Sequence, residues 1–206
     1  MGHEHLPDHF IIDDNLWNEL KNSQHQIICH NCEISYCLKG RFYTIPVLNE
    51  NYGVYPWEEK VYRLSDKMIE VTRQEIELSL FLLHYLLGTT DIQLTGEMVS
   101  GKDLKGGEMF FRGPHTLPVR KIIEKYGKDP AGLIQAGENL GGERLDLGDA
   151  SIGLRIAPKI PITYILWAED DEFSANVNIL FDPTIQNFLP LDIIFGITVF
   201  VYNRLV

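Results

Sequence analysis

IPITYILWAEDDEFSANVNILFD, residues 160–182, decides how the chain is read. Its first eight residues are almost all apolar, the pattern of an interior strand. Its last part alternates. Phe173, Ala175, Val177 and Ile179 fall on one side; Ser174, Asn176 and Asn178 fall on the other. That period of two marks a half-buried strand. Between the strands lie four consecutive acids, Glu169 to Glu172. A hairpin tip is polar because its backbone must face water, so one reading of the acids is plain solvated surface. The other starts the second strand at Asp171, so that Glu172 points with Ser174 and Asn176, away from Phe173. A carboxylate at a strand end beside a cleft can hold a metal, a cationic group or an amide. Crowded carboxylates also raise one another's pKa, which can create a general acid. The spacing does not select among these.

Working outward, Ile152, Leu154 and Ile156 alternate in the same way and predict a preceding strand. After Asp182-Pro183, a second helix-start signal, residues 190–205 predict a closing helix. Toward the N-terminus, Thr72 and Glu75 form a T-x-x-E capping box before Ile76, Leu80, Leu83 and Leu87, widened by Leu82 and Leu86. This predicts a deeply packed helix over 72–87, stopped by Gly88. Shorter helices are expected over 118–126 and from Asp129-Pro130 to about Asn139. A first helix begins at Asp13 or Asp14, with Leu16, Trp17 and Leu20 as its apolar stripe. Strands follow in ISYCL and RFYTIPVL, with turns at Lys39-Gly40 and Asn49–Gly53. The expected architecture is α+β: an antiparallel sheet with helices packed on one face, in a single domain spanning 1–206. Residues 1–12 are expected to be loosely ordered.

The bulk numbers bound the partners. With 18 basic and 29 acidic residues, the net charge is −11, and no Lys/Arg stripe stands out. Neutralising a phosphate backbone needs concentrated positive charge, so nucleic acid and an anionic membrane surface are not expected. A cationic partner or a metal ion is electrostatically permitted. No apolar run reaches the length of a bilayer span, and MGHEHLPDHF lacks the basic and apolar regions of a signal peptide. A cytoplasmic location is the expectation, and with it reduced cysteines.

Several constellations bear chemistry. Cys29-x-x-Cys32 followed by Cys37, with His25 and His30 nearby, could chelate zinc or a three-cysteine iron–sulfur cluster. Against that stands the missing second CxxC and the ordinary role of cysteine as a small apolar side chain. His84, in LLHYLL, suits either a satisfied core histidine or an axial ligand. His115 sits in a Gly/Pro loop beside Phe110, Phe111 and Arg112, which could supply an aromatic wall and an anion clamp. The simpler alternative packs those aromatics onto the sheet. The many glycines of 96–148 match neither a Walker nor a Rossmann fingerprint and suit turns and helix ends. Signatures of the common serine hydrolases and zinc peptidases are absent.

The segments TGEMVSGKDLKGGEMFF, YGKDP, ENLGG, LGDASI, PKIPITYILWAEDDEFSANVNILFD and NFLPLD together resemble the prokaryotic domain-of-unknown-function 3786 family. The matching positions are His84, Tyr85, Gly96, Glu97, Gly141, Gly142, Gly148, Asp149, Trp167, Asp171, Glu172, Phe173, Phe181 and Asp182, and the resemblance runs from about Glu75 to the C-terminus. The resemblance implies an anaerobic bacterial or archaeal setting. Some members carry an added iron–sulfur domain of the corrinoid-protein type, which this three-cysteine chain lacks. It therefore implies a ligand-binding or accessory protein of anaerobic cofactor metabolism, with a corrinoid, haem or other tetrapyrrole as ligand and an iron–sulfur or corrinoid protein as partner. Trp167, Glu172, Phe173 and His115 are the expected cleft residues, with His84 and Arg112 as further contacts. The rival expectation is a metal-assisted enzyme using Glu97, Asp149 and Glu172. A third is an interaction module with no small ligand.

Overall fold

The computed structural model describes residues 12–72 and 75–206. The N-terminal segment expected to be loosely ordered lies, except for Ile12, outside the described residues.

Local signals set most helix starts. Helix α1 spans Asp14–Asn22, and the Asp13 carboxylate accepts the Asn15 N–H at its N-terminus. Trp17 and Leu20 are its buried residues. Helix α2, His25–Cys32, was not legible as a helix; its composition of His, Asn and Cys gives weak helix propensity. A five-stranded meander follows, β1 (Ser35–Cys37), β2 (Phe42–Val47), β3 (Glu50–Tyr55), β4 (Lys60–Leu64) and β5 (Ile69–Glu70), in that spatial order. The expected turn at Asn49–Gly53 is tighter and earlier. Val47 pairs with Glu50, so Leu48 and Asn49 alone make the turn. Leu48 holds φ 55°, a region bulky side chains avoid. Its N–H donates to the Ile156 carbonyl (3.2 Å), which helps to hold it there.

Helix α3 spans Ile76–Gly88, four residues later than the capping box predicted. Glu75 takes the N-cap position without a side-chain cap bond, and its carboxylate lies 3.6 Å from Arg204. Leu78, Phe81, Leu82, Leu83, Tyr85 and Leu86 are buried, so this helix is central, as its sequence implied. A short strand β6 (Val99–Ser100), helices α4 (Gly107–Phe110), α5 (Arg120–Tyr126) and α6 (Pro130–Asn139), and strand β7 (Glu143–Leu145) come next. Asp129 caps α6 through the Gly132 N–H.

The opening stretch forms β9 (Ile160–Trp167) and β10 (Asn176–Phe181), preceded by β8 (Ala150–Ala157). These strands build a second antiparallel sheet in the order β6-β10-β9-β8-β7. The chain is thus α+β, with its strands divided between two five-stranded sheets instead of gathered in one. Helix α7 (Ile185–Phe188) leads into the closing helix α8 (Leu191–Leu205), which packs along α3. One buried apolar cluster runs from Trp17 through α3 and both sheets to Leu205. No helix of the described residues is long and apolar enough to cross a membrane.

Candidate functional site

The acidic stretch is a turn. The Asp170 carboxylate accepts the N–H groups of Glu172 (2.8 Å) and Phe173 (2.6 Å), and the Asp170 N–H donates to the Phe173 carbonyl (3.0 Å). These bonds hold the Asp170 carboxyl below the usual carboxylate range. They also curl the chain, so β10 begins at Asn176, five residues after the expected Asp171. The alternation proposed for Glu172 therefore does not apply. Glu172 is exposed, Phe173 is 69% exposed and Trp167 is 49% exposed. None of the three lines the groove or the cleft described below. The solvated-surface reading is the one the geometry gives.

The other carboxylates of the enzyme expectation are similarly local. Asp149 Oδ2 accepts the Ala168 N–H (2.8 Å), and the exposed Glu97 sits in a turn whose N–H donates to Thr95 (3.1 Å). Among the described residues no three His, Cys, Asp or Glu side chains are placed to hold a metal ion. Glu97, Asp149 and Glu172 are thus not gathered in one such group, nor are Cys29, Cys32 and Cys37. Cys32 is fully buried in the core, where its thiol donates to the Tyr85 carbonyl (3.4 Å), and burial pushes its pKa up to about 12. Burial raises Cys29 as well. Cys37 lies apart on β1 and accepts the Gly40 N–H through sulfur (3.3 Å). Arg112 is held by Glu108 one helical turn earlier (2.6 Å), on the surface.

One histidine singled out in the sequence, His115, touches the wall of a concavity, and a second, His84, lies one helical turn from a residue of its lining. Helices α3 and α8 leave a groove of about 250 Å³, lined by Ile76, Leu80, Phe195, Gly196 and Val199, with Glu77 and Asp192 at its polar margin. Gly196 makes the groove possible, because a helix interior without a side chain leaves room against Glu77. His115 stacks on Phe110 (centroids 4.6 Å, 15°) and meets the edge of Phe195 (5.4 Å, 88°). Phe195 lines the groove, so His115 borders it. His84 stands one turn beyond Leu80 on α3. Burial lowers its pKa more than the nearby Asp192 and Glu19 raise it, which keeps the imidazole neutral at pH 7. A neutral imidazole has a free lone pair for a metal or a donor. Sequence reasoning missed Phe195, Gly196, Glu77 and Asp192. The available signal was Gly196, a single glycine inside an otherwise apolar helix.

Several of the remaining motif residues are architectural. Buried Asp182 accepts four bonds: Thr95 Oγ1 (3.0 Å), Gly96 N–H (2.8 Å), Thr184 N–H (3.0 Å) and Thr184 Oγ1 (2.7 Å). Gly141, at φ 80°, ends α6, where the Gly141 and Gly142 N–H groups donate to Glu138 and Gly137 carbonyls. Gly148, at φ 58°, lies against the Leu166 carbonyl, where a Cβ would come to 2.8 Å.

The family comparison agrees with the motif pattern and extends it. The family model described as Domain of unknown function (DUF3786) matches residues 25–204, and the chain belongs to this family. The match begins fifty residues before the resemblance noted in the sequence. No curated protein and no solved structure matches the chain.

Proposed function

We propose that the protein is a ligand-binding or accessory protein whose ligand seats an apolar portion in the α3–α8 groove. The observation that carries this reading is the groove with His115 against its Phe195 wall and with His84, kept neutral by burial, one helical turn from Leu80 of its lining. A volume of about 250 Å³ lies below the roughly 300 Å³ at which enclosed ligand pockets begin. The groove therefore suits part of a ligand, with the rest lying across its mouth. In its narrower form the proposal takes a corrinoid or another tetrapyrrole as that ligand. The macrocycle edge would rest on Phe195 and Phe110, and one histidine would supply an axial donor. Delivery of such a cofactor to an iron–sulfur or corrinoid partner would then be the accessory role in anaerobic metabolism.

The test is a titration of the purified protein with cobinamide and with haemin, read by visible absorption and by Tm. The reading expects a red-shifted, histidine-type spectrum with at least one of them, lost in His84→Gln or His115→Gln. Unchanged spectra and Tm with both would remove the tetrapyrrole form. A spectral change that survives in both variants would remove the groove.

A further inference from the structure

We propose that the cleft between the two sheets is a separate binding site, for a small zwitterion carrying one net positive charge, the charge pattern of a basic α-amino acid. This is independent of the α3–α8 groove. The cleft lies where Leu48 reaches Ile156 and has a volume of about 650 Å³, inside the usual range for small-ligand sites.

Its floor is set by strand register. Glu143 of β7, Gly153 of β8 and Thr163 of β9 are directly paired across the second sheet, so the three share one face in one row. Gly153 adds no side chain to this row, which lets the cleft reach Thr163. Thr163 is only 8% exposed, lines the cleft, and its hydroxyl has no hydrogen-bond partner among the described residues. The oxygen itself keeps contact with the solvent of the cleft, so a ligand donor or acceptor can take the place of that solvent. Arg155 lies two residues along β8 on the same face, and its Nη1 donates to the Pro158 carbonyl (2.7 Å). That bond fixes the guanidinium plane and leaves further N–H groups for a carboxylate.

The charges decide the ligand class. Glu33, Glu143 and Arg155 all line the cleft, and none forms an ion pair among the described residues. Two carboxylates and one guanidinium are complemented by two cationic groups and one carboxylate. A phosphate or a nucleotide would face a net negative lining, and a purely apolar ligand would leave the three charges without a partner. The chain's charge of −11 draws a net cation at long range. Pro46 and Leu48 supply a short apolar wall for the methylene stem of such a ligand.

Isothermal titration with L-arginine and L-lysine tests this, with agmatine, which lacks the carboxylate, and norleucine, which lacks the side-chain cation, as controls. The expected result is saturable binding of at least one basic amino acid, weakened about tenfold or more in each control and in Glu143→Gln and Arg155→Gln. Gly153→Val adds bulk to the floor, where the Cβ alone would meet Leu145 at an ordinary 3.4 Å; with a native-like thermal melt as the check on folding, this variant is expected to lose binding. Absence of saturable heat at millimolar ligand overturns the proposal. So does binding that agmatine reproduces, or that the three variants leave unchanged.

Discussion

Asp182 Oδ2 accepts the Gly96 N–H at 2.8 Å, joining the end of β10 to a loop 86 residues earlier in the chain. Gly96 holds φ 74°, which a side chain would strain, and the Thr95 hydroxyl reaches the same oxygen. Burial alone would raise the Asp182 carboxyl, yet its hydrogen bonds outweigh burial and hold it below the usual carboxylate range. Asp182→Ala should cost about 2–4 kcal/mol, since it leaves several donors unpaired in a buried site. The sign of the pH effect follows from the depressed folded pKa. The stabilisation is complete above the unfolded value of about 3.9 and is lost as pH falls through the folded one. Denaturant midpoints for wild type and Asp182→Ala should therefore converge in acid and differ at neutral pH. An equal gap at every pH would count against the carboxylate's role.

Two glycine-to-alanine changes should act in opposite directions. In Gly88→Ala the new Cβ would collide with the Phe188 carbonyl oxygen, backbone that cannot step aside cheaply, so a loss of about 2 kcal/mol or more is expected. In Gly196→Ala the Cβ would meet Glu77 Cγ at 3.5 Å, an ordinary contact. Helix propensity then favours alanine by about 1 kcal/mol, and Tm should rise by roughly 2–4 °C. The same change narrows the groove and should weaken any ligand held there. Thermal melts of the two variants settle the signs.

His84 gives the chain a second pH window. Its folded pKa lies below the ordinary 6.5, so the unfolded chain takes up the proton first. Stability should therefore fall as pH drops from about 6.5 toward the lower folded value. His84→Gln should flatten that part of the profile in a series of urea melts. A wild-type curve that is flat there and unaffected by the variant would contradict the burial argument.

Arg204 ties α8 to the first sheet through Glu50 (2.8 Å) and the Tyr52 hydroxyl (3.1 Å), with Arg63 on the far side of the same carboxylate (3.2 Å). Burial acts to raise the Glu50 carboxyl, and Tyr52 and Arg204 overcome it, holding the group low. Arg204→Met removes the charge, and with it the guanidinium that lies over the Phe200 ring at 4.4 Å. It should cost about 1–2 kcal/mol, less than a fully buried pair, because both partners keep some solvent. A double-mutant cycle with Glu50→Gln should show coupling that shrinks in high salt.

Legibility in the sequence followed distance along the chain. Asp13 and Asp129 cap helices that start one residue away, and Ile152, Leu154 and Ile156 reveal their face by local alternation. The α+β architecture was readable from such signals. The division into two sheets was not, because it depends on which strand edges meet. Thr72 and Glu75 matched a capping box, but Glu75 answers to Arg204, 129 residues away. The candidate site failed in the same way. Glu172 looked directional only while Asp170 was ignored, and the hydrogen bonds of one neighbouring carboxylate removed the alternation. The groove joins α3 to α8 across more than 100 residues, so only Gly196 hinted at it.

The most direct measurement of the groove's role is a ¹H–¹⁵N correlation spectrum of the protein titrated with cobinamide and with haemin. Perturbed amides concentrated in residues 76–84, 113–116 and 192–199 are the predicted result, with the response abolished in a variant carrying both His84→Gln and His115→Gln. Perturbations gathered instead around Trp167 and Phe173, or none at saturating ligand, would contradict it.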